Sequence, residues 1–116
     1  MKQFLCKTAD LDATQAKSLI AEIEGEAQDI FVVRNALGIF AYIDVCPHAG
    51  SPLEWRQDHF LDDEFHHIIC ATHGAQFRIE NGYCFAGPCK QLSLTALPLE
   101  IIENNIYLHD SDTSSA

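Results

Sequence analysis

The chain is 116 residues long, enough for one domain and too short for a second catalytic one. Hydrophobic residues make up 47%, which supplies one compact core without disulfide staples. Seventeen Asp and Glu against seven Lys and Arg give a net charge of −10, the wrong sign for nucleic acid or an anionic membrane surface, and no apolar run approaches the roughly 20 residues of a spanning helix.

The opening segment, Met1 to Thr8, meets charge and polarity too early for a secretory leader. The sequence therefore predicts a cytoplasmic protein, where the five cysteines read as ligands or core residues rather than bridges. From Leu11 to Ile23 two patterns compete. Ala16, Leu19, Ile20 and Ile23 fit helical spacing, while Leu19, Ala21 and Ile23 alternate, and a turn followed by a strand is expected. Ile30 to Val33 and Ile39 to Ile43 flank Asn35 to Gly38, which predicts a β-hairpin. Asn81-Gly82 is a strong turn signal and predicts a second hairpin between Gln76 to Ile79 and Tyr83 to Phe85. A third is expected at Asn104-Asn105, joining Leu97 to Ile102, an edge strand interrupted by Pro98, to Ile106 to Leu108. No linker or repeat divides the chain, so residues 1–116 read as one domain. The Ser, Thr and Asp tail from Asp110 to Ala116 is too polar to repay its ordering entropy and is expected to be mobile.

The chemistry is concentrated in two short segments. Cys46-Pro47-His48-Ala49-Gly50 and Cys70-Ala71-Thr72-His73-Gly74 each hold one thiol, one imidazole and a following glycine, with 21 residues between His48 and Cys70. Thiolate and imidazole together select zinc, iron, copper or nickel over the oxygen-seeking magnesium and calcium. A mononuclear zinc site takes all four ligands on one tetrahedron, and its chelating pairs usually leave roughly two to four residues between ligands, whereas Cys46-Pro47-His48 leaves a single residue. A two-iron cluster relieves that strain, because the cysteine and histidine of one segment reach different irons. Cys46 and Cys70 then serve one iron and His48 and His73 the other. Two ferric ions, two sulfides and two thiolates sum to a formal charge of about zero, so an electron is accepted more readily than by a cluster held on thiolates alone.

These two boxes resemble the cluster-binding boxes of Rieske [2Fe-2S] proteins, and Gly87-Pro88 sits where that family has its proline-containing third loop. The likeness extends from about Asp44 through Leu108, with only a strand pattern in common before that. It implies an all-β fold, a Rieske-like antiparallel β-sandwich with a small cluster-binding subdomain at about residues 45–88. It also implies that Gly50 and Gly74 let backbone N–H groups approach the sulfides and that Pro88 shields the cluster. The departures are informative too. Respiratory-complex members carry an extra cysteine in each box, joined as a disulfide, where this chain has Ser51 and Thr72. The same class has a serine and a tyrosine, whose hydroxyls hydrogen-bond the cluster sulfurs, at the positions held here by Ala75 and Phe77. Losing those donors destabilises the reduced state, so the resemblance is to soluble, ferredoxin-type members, with a potential near the low end, roughly −150 mV, of the Rieske range.

The remaining residues with chemical potential read more plainly. Cys6, Cys84 and Cys89 are expected to be small apolar fillers, with Cys84 and Cys89 close to the Gly87-Pro88 loop. His66 and His67 are adjacent and point to opposite faces of a strand, and His59 and His109 have no partnered spacing. Trp55 reads as a packing anchor and Asp62-Asp63-Glu64 as a solvated turn.

The expected function is one-electron transfer with no substrate of its own, by a monomer or weak oligomer. The acidic chain would shuttle between a reductase and an oxygenase or similar acceptor through salt-sensitive docking. Two other readings stay open: a small Rieske subunit of a larger oxidoreductase, resembling those of nitrite reductases or oxygenases, and a zinc-stabilised interaction module using the same four ligands.

Overall fold

A computed structural model describes residues 2–12, 14–45, 60–61, 67–70, 75–87 and 92–109. Its regular elements in chain order are β1 (Lys2–Lys7), a short 3-10 turn (Thr8–Leu11), β2 (Ala16–Ile23), β3 (Glu26–Asn35), β4 (Gly38–Ile43), β5 (His67–Ile69), β6 (Gln76–Arg78), β7 (Cys84–Ala86), β8 (Ala96–Leu97), β9 (Leu99–Ile102) and β10 (Asn105–His109). They form three antiparallel sheets, ordered β1-β10-β9, β2-β3-β4-β8 and β5-β6-β7. The all-β expectation holds, and no helix among the described residues is long and apolar enough to cross a membrane.

The turns show why the chain folds back where it does. Asn35 Oδ1 accepts the N–H groups of Leu37 and Gly38 at 2.9 and 3.2 Å, closing the β3–β4 hairpin. Asn81 Oδ1 accepts the N–H of Tyr83 at 2.9 Å, and Gly82 supplies the φ of +71° that turn requires. The β2–β3 hairpin, which the sequence reading did not mark, turns at Glu24-Gly25, both at positive φ. At the third expected hairpin the turn is one residue earlier: Glu103 and Asn104 take φ of 51° and 68°, and Asn105 is already the first residue of β10. The strand expected from Leu97 to Ile102 is two strands. Pro98 has no N–H to continue a ladder, and there the chain leaves β4, which β8 pairs, and joins β10, which β9 pairs. The Pro98 carbonyl accepts the N–H of His109 at 2.9 Å.

Residues 30–33 of β3 are all fully buried, and alternation divides them between two layers. Phe31 and Val33, with Tyr42 of β4, face Phe60, Ile68, Phe77, Ile79, Cys84 and Leu94 on one side. Ile30, Val32 and Ala41 face the opposite way, towards Cys6, Leu11, Ile106 and Leu108 of the β1-β10-β9 layer and the 3-10 turn. Each such fully buried large side chain contributes about 1.5–3 kcal/mol. Where β1 passes β2, the Gln3 side chain stands in for a neighbouring strand: its amide donates to the Glu22 carbonyl and accepts the Glu22 N–H, both at 3.0 Å. Arg34, in β3, donates to Gln15 Oε1, the Thr8 carbonyl and Asp12 Oδ1, tying down the stretch that leads into β2.

Tyr42 fastens the small sheet to the central one. Its ring is buried, and its hydroxyl donates to the Ile79 carbonyl at 2.6 Å, in the β6–β7 turn. Burial first, and the Glu80 charge second, push the phenol up from 10.0 to about 12. The folded state holds it neutral, so its contribution is complete below pH 10 and is lost as pH rises through about 12. Tyr42→Phe should therefore cost about 1 kcal/mol at pH 7 and flatten the loss of stability above pH 10, measured by denaturant unfolding at pH 7 and pH 11.

Candidate metal centre

The second ligand box sits on the β5–β6 hairpin. The ladder runs His67↔Arg78, Ile68↔Phe77 and Ile69↔Gln76, and one step further the Cys70 N–H donates to the Ala75 carbonyl at 2.8 Å. Cys70 and Ala75 thus form the last described backbone pair of the hairpin, with sequence positions 71–74 between them. Cys70 is 1% exposed and belongs to the same core cluster as Phe60, Phe77 and Cys84. Its position at the end of a ladder gives a ligand a rigid support.

Two other segments reach the same end of this sheet. Leu61 bridges Ile68, and the Phe60 carbonyl accepts the Ile69 N–H at 2.8 Å, so the chain coming out of segment 46–59 runs antiparallel to β5 with Phe60 towards Cys70. The Phe60 ring is stacked on Phe31, with centroids 4.3 Å apart and planes at 11°, which locks this entry point to the central sheet. On the far side, β7 pairs Ala86 with Gln76, and Gly87 follows against Ala75. A Cβ on Gly87 would lie 2.7 Å from Ala75 Cα, so backbone approaches backbone there. The first box starts from the end of β4, where Asp44 is buried and its N–H donates to the Asp29 carbonyl at 2.9 Å.

Of the residues the sequence marks for the centre, Cys70 is described. Cys46, His48, Gly50, His73, Gly74 and Pro88 lie outside the described residues, as do Ser51, Thr72, Cys89, His59, His66, Trp55 and Asp62-Asp63-Glu64. The described ends that flank them show the supports: Val45 and Phe60 bracket the first box, Cys70 and Ala75 the second, and Gly87 precedes Pro88. Ala75 and Phe77 are fully buried on the β5–β6 hairpin, so neither of those positions places a hydroxyl there. The sequence reading gave no sign of the Phe31–Phe60 stack, and it noted Gly87 only as the neighbour of a proline. Among the described residues no group of three His, Cys, Asp or Glu side chains converges on a metal position.

The other described cysteines behave as packing residues. Cys6 lies in the opposite layer with Leu11, Val32 and Ile106. Burial, reinforced by Asp10 and slightly offset by Lys17, pushes its thiol up to about 11, so it is neutral at physiological pH. Cys84 is fully buried in the layer of Cys70, and its Sγ lies 3.3 Å from the Ala86 carbonyl to which it donates. His67 rests against the Phe85 ring at 4.8 Å, and His109 is exposed on β10, 3.9 Å from Glu100.

A family model described as the Rieske [2Fe-2S] domain matches residues 1–98. The chain belongs to the Rieske family. Members of that family bind a [2Fe-2S] cluster of the Rieske type. Among solved structures the chain is similar to the ferredoxin of carbazole 1,9a-dioxygenase from Nocardioides aromaticivorans IC177, at 20% identity and a TM-score of 0.72, with 95% of this chain and 98% of that one covered. It is also similar to a chain in a complex of reduced oxygenase and oxidized ferredoxin in carbazole 1,9a-dioxygenase, at 23% identity and a TM-score of 0.71, covering 91% and 99%. The terminal oxygenase of the Nocardioides enzyme matches at 14% identity and a TM-score of 0.71, but this chain covers only 30% of it. No curated protein matches the chain in sequence. The Rieske fold is thus present at the full length of a ferredoxin and as one part of an oxygenase.

The residues fit the family's cluster. The donor set of two thiols and two imidazoles suits iron bridged by sulfide, and a buried thiol stands at the end of a rigid hairpin, with Gly87 backbone packed closely against Ala75 beside it. Cys6, by contrast, lies outside the centre. Cys6→Ala should keep wild-type iron and sulfide content while lowering stability by about 1 kcal/mol, and the native Cys6 thiol should resist iodoacetamide at pH 8, read by peptide mass spectrometry.

Proposed function

We propose that this Rieske protein is a one-electron carrier and transforms no substrate itself. The observation that supports this best is the match in length: the chain covers 98% of a carbazole dioxygenase ferredoxin and is covered by it over 95%. Cys46 and Cys70 would hold one iron and His48 and His73 the other, within a cluster-binding subdomain at about residues 45–88. When bound, the cluster supplies reversible exchange of a single electron. The protein's part is positional and electrostatic. Cys70 is held by its backbone pair with Ala75, Gly50 and Gly74 would let backbone N–H groups approach the sulfides, and Pro88 would exclude water.

The partners we infer are a reductase that supplies the electron and an oxygenase that receives it. One structural neighbour is a ferredoxin in complex with its oxygenase, and a net charge of −10 gives this chain a field that steers it to a basic surface. The work would be done in the cytoplasm, by a chain that is monomeric or weakly associated. A second reading, a permanent Rieske component of a larger oxidoreductase, draws support from the likeness to part of a terminal oxygenase. Copurification with a stoichiometric partner distinguishes it from a free carrier.

Anaerobically purified protein should contain two irons and two acid-labile sulfides per chain and give an anisotropic EPR signal of low average g after dithionite. His48→Cys should move that spectrum towards an all-thiolate cluster. A colourless protein with one zinc would overturn the reading. Because Ala75 and Phe77 offer no hydroxyl, the midpoint at pH 7 should lie near roughly −150 mV, and a value well above zero would contradict the electrostatic argument.

A further inference from the structure

We propose that Gly87 is a positioning residue for the metal centre and acts on Cys70 through Ala75. The inference rests on the reading that Cys70 is a ligand. Gly87 follows β7 with φ of +98°, a conformation that side chains rarely adopt. A Cβ there would lie 2.7 Å from Ala75 Cα, 3.1 Å from its Cβ and 3.3 Å from its N. Two of those three atoms are backbone, so no change of rotamer relieves the clash. Ala75 is fully buried, and its carbonyl is the acceptor for the Cys70 N–H at 2.8 Å. A shift of Ala75 therefore pulls on the peptide that carries the thiol.

The same sheet contains its own control. Gly82 also has positive φ, +71°, and a Cβ there would meet Tyr42 Cε1 at 2.8 Å and Leu94 Cβ at 3.2 Å. Its neighbours are side chains, and it lies in the β6–β7 turn, at the end of the sheet away from Cys70. Both glycines exclude a side chain, but only Gly87 abuts the hairpin end with the ligand. Loosening that contact admits water to the Cys70 end, and water favours the reduced form of the centre because that form carries one more negative charge. The midpoint should rise.

The test compares wild type, Gly87→Ala, Ala75→Gly and Gly82→Ala as full chains loaded with cluster. Ala75→Gly loosens the same contact without adding a clash, so it serves if Gly87→Ala does not fold. Midpoint potential, the EPR g values of the reduced protein, the rate of iron loss to a chelator and Tm are measured for each. Gly87→Ala and Ala75→Gly should raise the midpoint, shift the g values and speed iron loss by about tenfold, while Gly82→Ala should lower Tm and leave the other three at wild type. Wild-type potential, g values and iron retention in both Gly87→Ala and Ala75→Gly overturn the proposal. So do changes in Gly82→Ala that match theirs at equal loss of Tm, because the glycine would then act only through stability. Wild-type protein without iron and sulfide overturns the carrier reading and this inference with it.

Discussion

Burial of β3 on both faces is the constraint from which the architecture follows. Four consecutive apolar residues, Ile30 to Val33, cannot be covered by one layer, because successive side chains point to opposite sides. One side is met by β1, β10 and the 3-10 turn, which bring Cys6, Leu11, Ile106 and Leu108. The other is met by the small sheet and its flanking residues, which bring Phe60, Ile68, Phe77, Ile79 and Cys84. The layer that presents Cys70 is thus also the layer that completes the core, and the candidate site shares its foundation with the fold.

Within that layer the two ends of the small sheet are held differently. At the turn end, Tyr42 reaches up from the central sheet to the Ile79 carbonyl, and Gly82 lies so close to its ring that a Cβ would collide with it. At the Cys70 end the supports are backbone contacts: Cys70 to Ala75, Ile69 to Phe60 and Gly87 against Ala75. Phe60, Cys70 and Gly87, far apart in sequence, all reach that end.

The sequence marked the proposed ligands more readily than their supports. Cys46, His48, Cys70 and His73 stand out because metal chemistry would impose residue type and spacing locally. Hairpins at Asn35 to Gly38 and Asn81-Gly82 were legible for a similar reason, since Asn side chains close the turns themselves. The hairpin at Glu24-Gly25 was hidden because glutamate is an unusual residue at positive φ, and the cross-strand ladder of β2 and β3 forces it there. Glu103 displaced the third turn by one residue in the same way. Pro98 was read as an interruption within one strand, whereas its effect is to hand the chain from one sheet to another. Pairing of β1 with β10, stacking of Phe60 on Phe31 and the approach of Gly87 to Ala75 all join residues remote in sequence, and no local pattern encodes them.

The Gln3 amide has a consequence for how the protein behaves among other copies of itself. A strand at a sheet margin ordinarily offers its peptide groups to any passing extended chain. At Glu22 both of those groups are already engaged by a side chain from the same molecule. An incoming strand would have to break two hydrogen bonds before making its first pair at that position, so a single glutamine from the same chain guards this point of the β2 edge.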